Sequence, residues 1–246
     1  MSSGRSGTKL RQVDRSLTAE LKTVAAMLVL LAGLLGSLAA EAGGALRGTG
    51  DLAIVIQRAD GSVQILDTTT NQSIGKVGGL GDLSHASAVY SRDGRYAYVF
   101  GRDGGLSKVD LLTATLVGRR VQAGNSIGGA ISQDGRLVAV SNYTPGGVKV
   151  FDADTLALLA DIPAEYAPGQ LSKVIGLVDA PGQRFVFSLW DAGQIWVADV
   201  SDPRAPRLQK FSGIGRNPYD AFITGDGRYY LAGLFGEDGL ALLDLW

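Results

Sequence analysis

The sequence predicts an all-β protein built as a β-propeller, and two repeated phrases are the basis for this prediction. Asp-Gly-Arg occurs between two apolar, strand-like runs at three places: Asp93–Arg95, Asp134–Arg136 and Asp226–Arg228. An aspartate also closes an apolar strand at steps of 43, 42, 47 and 45 residues: Asp67, Asp110, Asp152, Asp199 and Asp244. A period of about 40–50 residues with roughly four strands per unit is typical of propeller blades. Propellers bind ligands at one end of a central channel, so the repeat indicates where to look for a site.

From residue 51 onward, apolar or alternating runs bounded by Gly, Asp and Asn predict strands throughout, and no segment has a helical period. The units align as a partial blade at about 51–80 and full blades near 84–124, 125–170 and 172–213. A final unit near 217–246 stops at its third strand. Because a propeller must close into a ring, about four and a half blades predict that the sequence is truncated.

Composition restricts the classes of function. The chain has 246 residues, 46% of them hydrophobic, with 23 basic and 24 acidic residues. This length can bury one large core, and the balanced charge gives no electrostatic reason to bind nucleic acid. The chain contains no cysteine. Disulfides, thiolate metal sites, covalent c-type heme attachment and a lipidated cysteine are therefore excluded.

The first 42 residues are predicted to be a signal peptide or an N-terminal membrane anchor rather than part of the fold. Residues 1–23 are polar and basic, residues 24–40 carry no charge, and small residues suited to signal cleavage follow. An uncleaved anchor is the alternative, since 17 apolar residues are near the lower limit for a spanning helix. Either interpretation predicts export to the periplasm, with membrane contact only through this segment. Residues 43–50 would be a linker and 51–246 the propeller.

Blade connectivity sorts the loops onto two faces. The Asp-Gly-Arg phrases fall in the turn between the first and second strands, where glycine supplies a positive φ and aspartate caps the turn, so they are predicted to be structural. The opposite face collects cations, amides and aromatic rings: Arg58, His85, Arg102, Asp103, Asn125, Asn142, Tyr143, Lys173, Trp190, Asp191, Arg216, Asn217, Tyr219 and Phe235. This mixture suits a large, flat, anionic ligand, and it is equally consistent with ordinary solvated loops.

His85 is the only histidine of the chain, and it opens a predicted inner strand beside the channel. A neutral imidazole in this position could ligate an iron or act as a general acid or base near neutral pH. The alternative is a structural histidine with satisfied hydrogen bonds. The chain has no second histidine for a zinc site and no serine-hydrolase motif, so hydrolytic chemistry has no support.

Two segments resemble a known family. Residues 84–103 resemble the segment around the heme d1 ligand of cytochrome cd1 nitrite reductases. Their sequence is Ser-His-Ala-Ser-Ala-Val-Tyr-Ser-Arg-Asp-Gly-Arg-Tyr-Ala-Tyr-Val-Phe-Gly-Arg-Asp. Residues 215–239 are similar to their relatives, the NirF-type heme d1 biosynthesis proteins. The resemblance covers about residues 47–246. It implies an eight-bladed propeller that holds heme d1 or a siroheme-derived precursor. His85 matches the axial iron ligand, and Arg102 matches an arginine near the heme carboxylates.

The resemblance implies a periplasmic protein that modifies the precursor in a late step of heme d1 assembly, which serves nitrite reductase in denitrification. The residues expected to bind the tetrapyrrole are His85, Arg58, Arg102, Asn142, Lys173, Trp190, Arg216 and Asn217. Tyr143, Asp191 and Tyr219 are candidates for proton transfer. The chain departs from the reductases because it has no c-type cytochrome motif and no distal pair of histidines, so nitrite reduction is not expected.

Two alternatives remain open from the sequence. The protein could be a non-catalytic carrier that passes heme d1 to cytochrome cd1 nitrite reductase, with other heme d1 assembly proteins as partners. It could also be an interaction propeller with no cofactor, in which the same loops form a docking face.

Overall fold

The computed structural model of the protein describes residues 48–246, and the predicted signal or anchor segment lies outside them. Within this range the strands form five sheets in chain order and one hairpin. The first sheet contains β1 (Leu52–Gln57), β2 (Ser62–Asp67) and β3 (Gln72–Val77). The second contains β4 (Ser87–Tyr90), β5 (Tyr96–Phe100), β6 (Gly105–Asp110) and β7 (Thr115–Val121). The third contains β8 (Asn125–Ile131), β9 (Leu137–Thr144), β10 (Gly147–Asp152) and β11 (Leu158–Ile162).

The remaining elements complete the described chain. The hairpin consists of β12 (Glu165–Ala167) and β13 (Gln170–Leu171). The fourth sheet contains β14 (Val174–Ala180), β15 (Arg184–Leu189), β16 (Gln194–Asp199) and β17 (Arg207–Phe211). The fifth contains β18 (Pro218–Ile223), β19 (Tyr229–Leu234) and β20 (Leu240–Asp244). Two short 3-10 turns span Thr49–Asp51 and Arg58–Asp60. No helix in residues 48–246 is long and apolar enough to cross a membrane.

Every sheet is an antiparallel meander, which confirms the all-β propeller architecture. The second, third and fourth sheets are complete four-stranded blades. Asp67 closes β2 as Asp110 closes β6, so β1–β3 correspond to the second to fourth strands of a blade. By the same comparison, β18–β20 correspond to the first three strands. The number of blades in a closed ring stays a prediction.

The two repeated phrases of the sequence contact one another in the fold. Each Asp-Gly-Arg phrase lies in the turn after the first strand of its blade, and Gly94 has a φ of 68°. In two of the three phrases the final arginine pairs with the aspartate that closes the third strand, whereas Arg136 pairs with Asp134 of its own phrase at 2.6 Å. Arg95 lies 2.8 Å from Asp110, and Arg228 lies 2.7 Å from Asp244. These turns are scaffold because their charged groups are used within the blade.

The predicted linker partly belongs to the propeller. The Thr49 hydroxyl donates a hydrogen bond of 2.6 Å to the backbone oxygen of Asp93. Apolar cores fill the spaces between neighbouring sheets, for example Phe185, Phe187 and Trp196 of the fourth sheet against Val148 of the third. Each such side chain contributes about 1.5–3 kcal/mol when it is fully buried. This packing fixes the positions of neighbouring sheets around the channel.

Candidate functional site

Three neighbouring inner strands are bulged at the same level of the channel. In β18, Tyr219 and Asp220 lie opposite the single residue Gly233. The register also shifts in β8 between Ser126 and Gly128, and in β14 between Ile175 and Val178. Bulges redirect side chains and are common beside active sites. Their alignment on three blades marks this level of the channel as the candidate site.

A cavity of about 280 Å³ lies at this level. Its polar side chains are His85, Ser87, Ser141 and Asp220, and the rest of its wall is glycine and aliphatic residues of the bulged strands. Gly176 has a φ of 60°, and a Cβ there would lie 2.6 Å from the backbone oxygen of Tyr219. Only glycine therefore lets β14 and β18 approach this closely, and the approach brings residues from several blades to one cavity.

His85 reaches the cavity from the loop that leads into β4. The loop is anchored by Leu83, which is fully buried, and by the Asp82 carboxylate, which accepts a hydrogen bond from the backbone N–H of Ser84. Hydrogen bonds from Ser84 lower the pKa of Asp82, so this carboxylate stays ionised and continues to accept the hydrogen bond that holds the loop. The His85 side chain is exposed and makes no hydrogen bond or ion pair with any residue in 48–246. Its imidazole is therefore available to a ligand.

Three aromatic rings form what we call the aromatic wall: Trp190, Tyr219 and Phe235. The ring centroids lie 5.3 Å apart for Trp190 and Tyr219, 5.2 Å for Trp190 and Phe235, and 5.7 Å for Tyr219 and Phe235. Phe235 is 73% exposed, although an apolar ring of this size is normally covered. The three rings are tilted against one another and together form an apolar contact surface in the mouth loops of the fourth and fifth sheets.

Tyr143 connects the aromatic wall to Arg102. Its hydroxyl lies 3.4 Å from that of Tyr219, and the Arg102 guanidinium lies 5.5 Å from its ring centroid. Burial and the hydrogen bond with Tyr219 raise the pKa of Tyr143 well above its ordinary value. Tyr143 is therefore a hydrogen-bond donor at neutral pH, not a base. The structure thus brings together Tyr143 and Tyr219, two of the three predicted candidates for proton transfer.

The structure divides the predicted cations into two groups. Lys173 is paired with Asp191 at 3.1 Å, and Arg216 is paired with Glu237 at 3.3 Å. Within residues 48–246, the side chains of Arg58 and Arg102 form no ion pair and no hydrogen bond, and the charge of Arg102 makes only a minor contribution to the lowered pKa of Asp82. The positive charge that is free to meet an anion therefore lies in the loops of the first and second sheets.

Several predicted site residues support the site instead of facing it. Asn142 is 1% exposed and exchanges hydrogen bonds with the Gln122 amide at 2.8 and 3.2 Å, so it is not available to a ligand. Asn217 donates to the backbone oxygen of Trp190 at 3.1 Å and so positions the aromatic wall. Asp103 forms an ion pair with Arg119. The buried Asn125 oxygen, by contrast, has no hydrogen-bond partner in the described chain.

Asp220 is the residue of the cavity that sequence reasoning missed. It follows Tyr219 in the segment that resembles the heme d1 proteins, but no apolar period or charge pattern distinguishes it there. Its place depends on the bulge in β18, which the sequence does not reveal.

No cluster of three or more metal-binding side chains occurs among residues 48–246.

This combination of a propeller and a mouth with a free imidazole, free arginines and an aromatic wall is that of a tetrapyrrole-domain protein. Residues 47–245 match the model of the cytochrome D1 heme domain, and the chain belongs to this family.

Within the family the chain is of the NirF type. It is 69% identical to the NirF protein of Pseudomonas aeruginosa over 203 residues, which cover 82% of this chain and 52% of that protein. It is 59% identical to NirF of Stutzerimonas stutzeri over 219 residues, 88% of this chain and 56% of that protein. The chain thus spans about half the length of the curated relatives it matches.

A solved structure supports the fold assignment. The dihydro-heme d1 dehydrogenase NirN, solved in complex with DHE, superposes with a TM-score of 0.71 at 29% sequence identity. The match covers 82% of this chain and 43% of that protein.

Proposed function

We propose that this protein binds a d1-type tetrapyrrole at the mouth that carries His85 and acts on a siroheme-derived precursor in heme d1 biosynthesis. The observation that carries the proposal is a set of groups in the loops of one propeller mouth: the exposed His85 imidazole at the cavity, two arginines without ion pairs in the described chain and an aromatic wall with an exposed Phe235 ring. Family membership supports the same ligand class. Export through the N-terminal segment would place this reaction in the periplasm, where heme d1 serves denitrification.

The described residues fit such a ligand. A tetrapyrrole needs an axial ligand for iron, cations for its carboxylates and an apolar contact for its ring. The axial ligand would be His85. The cations would be Arg58 and Arg102, and the apolar contact would be the aromatic wall. When bound, the iron macrocycle supplies the redox chemistry that amino acid side chains lack. The chain's own residues orient the ring, cover one of its edges and hold protons near it.

The distribution of charge predicts the orientation of the ligand. Its carboxylates belong on the blade-one and blade-two side, where Arg58 and Arg102 are free, because Lys173 and Arg216 are already neutralised by acidic neighbours. The less charged edge of the ring then lies against Trp190 and Phe235. Tyr143 and Tyr219 share one hydrogen bond, which leaves one hydroxyl proton of the pair to donate to the ligand.

A non-catalytic carrier of heme d1 is the second candidate. It is favoured by the exposure of Phe235, because an open wall lets a ligand leave as readily as it enters. In this case heme d1 would be transferred from the same site to cytochrome cd1 nitrite reductase. A cofactor-free interaction propeller has less support, because it gives no reason for an unpartnered imidazole inside the channel.

Titration with purified heme d1 tests the proposal. We expect the full-length protein to shift the Soret band of heme d1 and to saturate at one equivalent. An unchanged spectrum at micromolar protein would rule out tetrapyrrole binding and leave the interaction propeller. Incubation with the precursor then separates the other two functions, because an enzyme returns an altered tetrapyrrole whereas a carrier returns it unchanged.

A further inference from the structure

Asp220 differs from the other acidic residues around the mouth. Its side chain is exposed to the cavity that His85 also lines, and no residue between 48 and 246 donates a hydrogen bond to its carboxylate. The bulge that places Tyr219 and Asp220 opposite Gly233 is what brings the side chain to this position. A carboxylate that is exposed to a cavity and has no partner in the protein is available to a polar group of a bound ligand.

The neighbouring acidic groups are all held by the protein. Asp191, a predicted proton-transfer residue, accepts hydrogen bonds from the backbone N–H of Lys173 at 2.9 Å and from its Nζ at 3.1 Å. The Glu237 carboxylate accepts from the backbone N–H of Arg216 at 3.0 Å. Asp191 is therefore engaged by Lys173, whereas the Asp220 carboxylate is open to a ligand in the cavity.

Two tyrosines near Asp220, Tyr143 and Tyr230, are unsuited to accept a proton. Burial raises the pKa of both Tyr143 and Tyr230 well above the ordinary value, and the negative charge of Asp220 adds to both shifts. Tyr230 is also fully buried, with its hydroxyl 2.8 Å from the backbone oxygen of Gly176. Both hydroxyls stay protonated, so neither tyrosine can accept a proton, and Asp220 is the carboxylate that lines the cavity without a hydrogen-bond partner in the described chain.

We propose that Asp220 is the proton acceptor of the site, a catalytic residue that faces the tetrapyrrole bound at the mouth. A carboxylate oxygen forms a bond to a hydrogen of the substrate, the substrate's bond to that hydrogen breaks, and its electron pair stays on the substrate. The step is a proton transfer alone and involves no oxidant. It rests on the proposed function, because it requires a bound tetrapyrrole.

Carboxyl labelling tests the position of Asp220. A water-soluble carbodiimide with an amine nucleophile should modify Asp220 in the ligand-free protein, and one equivalent of heme d1 should protect it about tenfold or more. Asp238 is the internal control, since it is exposed on the loop between β19 and β20 and does not line the cavity. A shifted Soret band without protection of Asp220 would overturn this proposal and leave tetrapyrrole binding intact. An unshifted Soret band would overturn both.

Substitution tests the chemical role. Asp220→Asn keeps the shape of the side chain and removes the base. It should reduce precursor conversion by about 10²–10⁴-fold, the usual contribution of a general base, with heme d1 affinity changed less than threefold. Asp238→Asn makes the same change outside the cavity and should convert at the wild-type rate. Undiminished conversion by Asp220→Asn would overturn the proposal. So would a wild-type protein that binds the precursor without altering it, which would make the protein a carrier.

Discussion

Replacing His85 by alanine is expected to abolish axial ligation of heme d1. His85 is the only histidine of the chain, the chain has no cysteine, and no cluster of three or more metal-binding side chains occurs among residues 48–246. Loss of a residue that only orients a metal ligand already costs about 10–100-fold in affinity, so loss of the ligand itself should cost at least about 100-fold. The Soret and visible bands of the variant should also lose the signature of an imidazole-bound iron.

Imidazole in solution is the control for this variant. It can enter the space left by the His85 side chain, because that side chain is exposed at the cavity. Imidazole should therefore restore the wild-type spectrum without restoring the full affinity. A His85→Ala protein whose heme d1 spectrum and affinity match those of the wild type would remove His85 from the site.

Arg102→Ala is expected to have the second-largest effect on ligand affinity. The guanidinium lies against the Tyr143 ring and has no carboxylate partner in the described chain, so its charge is available to a ligand carboxylate. A hydrogen bond to a charged group contributes about 1.5–3 kcal/mol, which corresponds to roughly 10- to 150-fold in affinity. Fluorescence or absorbance titration with heme d1 measures the change. The loss should be smaller at high salt, where charge is screened.

Lys173→Ala is the matched control for Arg102→Ala. Both changes remove one positive charge from the same face, but the Lys173 charge is already paired with Asp191. We expect its affinity to stay within about threefold of the wild type, since exposed ion pairs contribute little. Equal losses for the two variants would contradict the division between free and neutralised cations and the orientation of the ligand that follows from it.

The central strands of each blade and the two faces of the propeller could be predicted because each leaves a local signal. Strands such as β5 (Tyr96–Phe100) and β15 (Arg184–Leu189) are buried on both faces and therefore appear as continuous apolar runs. The outer strands give no such signal. Residues of β7 and β17 are mostly exposed, so polar and apolar side chains are tolerated alike and no run marks the strand.

The candidate site was only partly predictable, because residue type shows what a side chain can bind but not whether it is already bound. Arg102 and Lys173 are both cations in mouth loops, yet only the fold shows that Asp191 neutralises the lysine. Asn142 was expected to bind the cofactor, but Gln122, 20 residues away, occupies its amide. Asp220 depends on a strand bulge, whose position is set by pairing with β19 and not by local sequence.

The central claim is that a d1-type tetrapyrrole binds at the mouth formed by His85, the free arginines and the aromatic wall. A crystal structure of the full-length protein with heme d1 tests it most directly. We predict iron coordinated by His85, carboxylates directed towards Arg58 and Arg102, and the opposite edge of the ring against Trp190. Heme d1 bound at the Asp-Gly-Arg face, or held at this mouth without His85 on its iron, would contradict the account.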